Sequence, residues 1–99
     1  MPGCPAVNNT IYNVPRSDKR FLRLCGLDYS GMRGAVDISH VPTSSFAECM
    51  DNCAGTVGCS GCSWGPLKGD EKDEHRCWLK STLQGSHEVE TTWCFGILQ

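Results

Sequence analysis

Eight cysteines stand among 99 residues, and four of them fall in one run from Phe46 to Trp64, F-A-E-C-M-D-N-C-A-G-T-V-G-C-S-G-C-S-W. Cysteine at this density is rare in cytosolic proteins and common in small secreted domains, where crosslinks supplement a modest core. The even count suits four disulfides with no thiol left over. A chain of this length forms one domain, residues 1–99, whose limited core gains from such bridges.

The same run carries a helix signature. Ser45-Phe46-Ala47-Glu48 has the form of a capping box, in which the Ser hydroxyl and the Glu carboxylate satisfy opposite orphan amides. Phe46, Cys49, Met50 and Cys53 follow at helical spacing and form one apolar stripe. Gly55 is a natural stop. The pattern predicts a helix over about residues 45–54.

The rest reads as short strands between turns. Residues 1–19 are polar, broken by Pro2, Pro5 and Pro15, and read as an extended arm held by Cys4. Arg20 to Cys25 forms a first strand and Ala35 to Ile38 a second. Strands are also expected from Cys59 to Trp64, from Cys77 to Lys80 and from Glu90 to Leu98. Between them runs a polar loop, Lys68 to Arg76, with Asp70, Glu71, Asp73 and Glu74. One helix among short antiparallel strands is an α+β arrangement.

Composition narrows the partners. A formal net charge of −2 argues against general nucleic-acid binding. No apolar stretch reaches the length of a membrane span, so no membrane insertion is expected. Met1-Pro2-Gly3 lacks the basic start and apolar core of a signal peptide. The expectation is a mature segment or excised domain of a secreted protein, with Met1 added for expression. Asn8-Asn9-Thr10 is a glycosylation sequon, which makes Asn8 a candidate acceptor.

Cys4-Pro5, Tyr12, Phe21 to Gly26, Asp28-Tyr29, Ser45-Phe46, Cys49, Cys53, Cys59, Ser63-Trp64 and Cys77-Trp78-Leu79-Lys80-Ser81 together resemble the PAN/Apple domain, especially its versions in fungal extracellular proteins. The resemblance covers almost the whole chain. Its most specific part is the helical C-x3-C, the third cysteine after it and the later C-x-L-K. It implies a curved antiparallel sheet of about five strands cradling one helix. It also implies the bonds Cys49–Cys77 and Cys53–Cys59, with Cys4–Cys25 tying the arm to the first strand. Cys62 and Cys94 remain, and are expected to pair. Cys62 departs from the family, which has an apolar core residue there.

Other chemistries compete with this reading. Cys59-Ser60-Gly61-Cys62, with Cys49 and Cys53 before it and His75 or His87 in reserve, has spacing that zinc sites use. Disulfides explain the full cysteine set better, so no metal or other cofactor is expected. A redox C-x2-C needs an activated thiol at a helix start, and this motif follows the helix. His40, His75 and His87 sit in no nucleophile motif, and the D-E-K-D-E carboxylates read as a solvated loop. The chain is therefore expected to be non-enzymatic.

Binding remains. If Cys77 and Leu79 face the helix, strand alternation turns Trp78 and Lys80 to the other face, and an inward Cys94 does the same for Trp93 and Phe95. Such a patch can stack on a sugar or anchor a protein. The competing arrangement covers Trp93 and Phe95 with the arm or loops. Trp64 shares the parity of Cys62 and is expected in the core. Arg16, Lys19, Arg20 and Arg23 form a basic cluster suited to acidic glycans or to a solvated rim; Arg20 and Arg23 point to opposite faces. The sequence thus suggests a secreted monomeric interaction domain for extracellular or cell-wall carbohydrate. The alternative is a protein-binding domain such as a host-directed secreted factor.

Overall fold

The structure, a computed structural model, describes residues 4–29, 36–65, 75–83, 86–89 and 92–99. Of the loop expected over Lys68 to Arg76, residues 68–74 lie outside them, and His75 and Arg76 belong instead to a strand. Eight strands and one helix follow in the order β1 (Thr10–Asn13), β2 (Arg20–Cys25), β3 (Leu27–Tyr29), β4 (Val36–Thr43), α1 (Phe46–Ala54), β5 (Gly61–Trp64), β6 (His75–Thr82), β7 (Ser86–Glu88) and β8 (Cys94–Leu98). The main sheet has six strands in the order β1-β2-β8-β5-β6-β4, every neighbouring pair antiparallel. β3 and β7 make a separate two-stranded ribbon.

The α+β arrangement with one helix is as expected, while the sheet has six strands rather than about five. The added strand is β1, inside the segment read as an arm. Tyr12 of β1 pairs with Phe21 of β2, and both are buried. Val7 and Val14, on either side of β1, also enter the core. The arm is therefore a sheet edge rather than a loose tether.

α1 forms where the capping box places it. The Ser45 hydroxyl accepts the Glu48 amide at 3.1 Å, and the Gly55 amide closes the last turn on the Asp51 carbonyl at 3.1 Å. Phe46, Cys49, Met50 and Cys53 are all buried. Burying a side chain such as Phe46 or Met50 contributes about 1.5–3 kcal/mol. This matters for a helix of nine residues, too short to persist alone.

Three disulfides hold the layers together: Cys4–Cys25, Cys49–Cys77 and Cys53–Cys59. Cys49–Cys77 ties α1 to β6, and Cys53–Cys59 closes the chain just after the helix. Two polar contacts fix the other side of α1. The Tyr12 hydroxyl donates to Asp51 at 2.8 Å, and Lys19 Nζ donates to the Ala54 carbonyl at 2.7 Å.

The expected Cys62–Cys94 bond does not form; both residues are buried free thiols. The register explains this. On adjacent strands β5 and β8, Cys62 stands opposite Gly96 while Cys94 stands opposite Trp64 and Cys25. Diagonal neighbours on one face sit about 7–8 Å apart, beyond the Cα separation of about 4.4–6.8 Å that a disulfide spans.

Candidate functional site

Directly paired residues share a face of the sheet, so the register separates its two sides. Cys62, Cys77, Leu79, Cys94 and Gly96 face α1. A Cβ at Gly96 would come 3.1 Å from Met50 Cγ, so the Met50 side chain would have to shift to accept one. Trp64 lies on the same side, stacked near Phe46 with ring centroids 6.5 Å apart, packed against the core as its parity suggests.

The opposite face carries two ranks of side chains. One runs His40, Trp78, Ser63, Phe95, Leu24 across β4, β6, β5, β8 and β2. The other runs Asp37, Lys80, Gly61, Ile97, Leu22, Ile11, ending on β1. Both ranks are polar at the β4 end and apolar towards β1. Their centres are buried; His40, Asp37 and Ile11 at the ends are exposed, Ile11 to 44%, while Leu24 is half-buried.

Trp78, Lys80 and Phe95 therefore share the face away from the helix, but two of them do not reach solvent. Phe95 is fully buried and Lys80 is 3% accessible. Gly61 is the local cause for Phe95. It presents no side chain between the strands, and Phe95 Cε1 and Leu83 Cδ1 would lie 3.0 Å and 3.1 Å from a Cβ placed there. Lys80 makes an ion pair and hydrogen bond with Asp37, whose own side chain is 38% accessible. Trp78 is half-buried, and its ring centroid lies 4.5 Å from that of exposed His40, with the planes tilted by 37°.

Ser63 sits between Trp78 and Phe95 in the first rank. It is 1% accessible, and its hydroxyl has no hydrogen-bond partner. Trp78 separates it from His40, so no base reaches it from that neighbour.

The remaining candidates lie elsewhere. Trp93 precedes β8, and its ring lies against Gly65, where a Cβ would meet ring carbons at 2.4 Å. It is half-buried, with its indole N–H enclosed and unpartnered. Arg20 is exposed at the start of β2, two strands beyond β5. Arg23 is half-buried on the helix side, its guanidinium carbon 5.8 Å from the centre of the Tyr12 ring and its Nη2 donating to the Ile11 carbonyl at 3.3 Å. The basic pair is thus remote from Trp78 and does not join one site with it. Arg16 lines a shallow groove of about 480 Å³ with Val14, Pro15, Ser17, Asp51, Ala54 and Gly55, between the arm and the end of α1. Asn8 is exposed, and its side-chain oxygen accepts the Cys25 amide at 2.9 Å.

The cluster at the β4 end is thus Trp78, His40, Asp37 and Lys80, with Ser63 beneath. Ending the second strand at Ile38 left out His40, while Asp37 lay inside that strand and was not singled out. A partial signal was present: Pro42 fits an edge strand, and the strand formers Val36, Ile38 and Val41 alternate with polar residues.

The sulfurs offer a second cluster. Cys49, Cys62 and Cys77 Sγ all lie within 4.8 Å of one another. Two of them are joined by a disulfide, and Cys53 and Cys59 are joined as well. The cysteines of the zinc-like spacing are thus committed to covalent bonds, except Cys62. Burial pushes the Cys62 thiol far above its ordinary range. Burial also raises Cys94, to about 11, partly opposed by a hydrogen bond from the Cys4 amide.

Three disulfides indicate an oxidising compartment. No helix among the described residues is long and apolar enough to cross a membrane. No family model, curated protein or solved structure matches this chain.

Proposed function

We propose that this protein is a secreted, non-catalytic interaction domain that recognises extracellular or cell-wall carbohydrate through the β4 end of its outer sheet face. The observation that carries the reading is the Trp78–His40 pair beside the Asp37–Lys80 ion pair. A partly exposed indole offers a flat apolar surface to the C–H face of a sugar ring. Asp37 presents carboxylate oxygen for sugar hydroxyls, and Lys80 holds that carboxylate in place. Because the two charges offset one another, a neutral sugar suits the site better than an acidic one.

The non-catalytic part rests on the sequence, in which His40, His75 and His87 sit in no nucleophile motif. The single helix, the antiparallel sheet and the Cys49–Cys77 and Cys53–Cys59 bonds are in keeping with a PAN/Apple-like domain. The secreted part rests on the disulfides, with Asn8 as an accessible acceptor for a glycan.

A glycan array, followed by titration of the strongest neutral ligand, tests the site. Losing one aromatic stacking contact costs about 0.5–1.5 kcal/mol, so Trp78→Ala is expected to weaken binding by up to about tenfold. Asp37→Ala should also weaken it, and Trp93→Ala should leave it unchanged. Glycan binding indifferent to Trp78→Ala would sink this assignment.

A second reading has its own observation. Val36 and Ile38 are 51% and 40% accessible on the same edge strand. Apolar side chains beside an unpaired edge suit a protein partner, which would give a specific pull-down and a blank array.

A further inference from the structure

Cys62 is a fully buried thiol in a domain whose other helix-facing sulfurs, apart from Cys94, are bonded. Its sulfur is within 4.8 Å of both atoms of the Cys49–Cys77 bridge. Cys94 shows the same relationship to another bridge. It stands opposite Cys25 in the register, and its sulfur accepts the Cys4 amide at 3.3 Å. Each free thiol therefore abuts a disulfide instead of the other free thiol.

We infer that Cys62 is a resident exchange partner for the Cys49–Cys77 bond, so that the tether of α1 passes between β6 and β5. The Cys62 thiolate attacks Cys49 Sγ. A Cys49–Cys62 bond forms, the Cys49–Cys77 bond breaks, and the electron pair leaves on Cys77 sulfur. Cys77 then takes up the equivalent of the proton that Cys62 gave up. The exchange consumes no oxidant or reductant.

Geometry selects Cys49 as the atom attacked. Cys62 and Cys77 are diagonal neighbours on paired strands, since Cys62 faces Leu79 and Cys77 faces Trp64. That offset of about 7–8 Å is poorly suited to a direct bond. Cys49 comes from the helix above both strands. Its sulfur lies 3.6 Å from the Ser63 carbonyl on β5, and the Cys77 sulfur lies 3.4 Å from the Cys49 carbonyl. One helical sulfur thus sits over two strand sulfurs. Burial favours the protonated Cys62 thiol, which slows the exchange.

The transfer changes which strand is tethered. With Cys77 released, β6 loses its covalent tie to the helix while β5 gains one. β6 is also the strand of Trp78 and Lys80, although the exchange itself does not depend on any ligand binding there.

Disulfide mapping of the oxidised protein tests the inference. Wild type is equilibrated in a glutathione redox buffer, quenched with acid, alkylated, digested and mapped. Peptides linked 49–77 and 49–62 are both expected, and the second should vanish in Cys62→Ser. In Cys77→Ser, a 49–62 bond is expected, leaving Cys94 as the one alkylated residue. That variant should melt several degrees above Cys62→Ser/Cys77→Ser. A wild-type map with 49–77 alone overturns the proposal, as does one with a 62–94 bond. So does a folded Cys77→Ser protein alkylated at Cys49, Cys62 and Cys94. If Cys77→Ser fails to fold, the wild-type map with its Cys62→Ser control decides.

Discussion

Lys80 places its ammonium against the Asp37 carboxylate on the face of the sheet that turns away from the helix, and the two partners differ sharply in exposure. Lys80 is buried and Asp37 is partly in water. Removing one member of a buried ion pair is costly because the other is left without compensation. The two substitutions should therefore be unequal.

Asp37→Asn strands a buried ammonium and should cost about 2 kcal/mol, below the range for fully buried pairs because Asp37 is solvated. Lys80→Met keeps the apolar stem and leaves Asp37 free to hydrate, so it should cost less than half as much. Urea denaturation of both variants measures the difference. Equal losses would show that the pair behaves as an exposed one.

Ser63 offers the opposite sign. A buried hydroxyl without a partner carries a desolvation penalty of about 1–3 kcal/mol. Ser63→Ala removes the hydroxyl with little loss of volume and should raise stability by about 1 kcal/mol. A rise in the urea midpoint at unchanged slope would establish this. A fall in stability would mean that the hydroxyl makes an unseen bond.

Tyr12 links folding to alkaline pH. Its phenol is raised from 10.0 to about 12, first by burial and then by the hydrogen bond to Asp51 and the charge of that carboxylate, with Arg23 opposing. A raised folded-state value means that folding favours the protonated form. The contribution is complete below pH 10 and is lost as pH climbs towards about 12. Cys94 acts in the same direction from 9.0 to about 11. Stability should thus decline across this window, more gently in Tyr12→Phe than in wild type. Denaturation curves at several alkaline pH values, with ultraviolet difference spectra for phenolate, check it. Parallel declines in the two proteins would remove Tyr12 from the account.

Much of the framework was legible because it is local. The Ser45–Glu48 capping pattern and the stripe of Phe46, Cys49, Met50 and Cys53 locate α1 to within a residue. Arg20 to Cys25 likewise matches β2 from end to end. β1 was hidden, because four residues between an Asn pair and Pro15 become a strand only through pairing with distant β2. Strand parity correctly grouped Trp78, Lys80 and Phe95 but not Trp93, which precedes β8 and packs against Gly65. It says nothing about whether a face is covered, and the packing of Phe95 over Gly61 arises between strands far apart in sequence. The 62–94 pairing failed for a related reason: parity gives a shared face, while bonding also needs register.

Among the described residues, β4 closes one side of the main sheet and has no strand beyond it. Its register slips between Val36 and Asp37 and again between Asp37 and Ser39, and Pro42 withholds an amide from the outer edge. An exposed edge with regular hydrogen-bond spacing is a template for another copy of the chain. The irregular edge here denies a neighbour a continuous ladder, even with Val36 and Ile38 open to it. The same strand can therefore display apolar and polar groups in concentrated solution while resisting growth into fibrils.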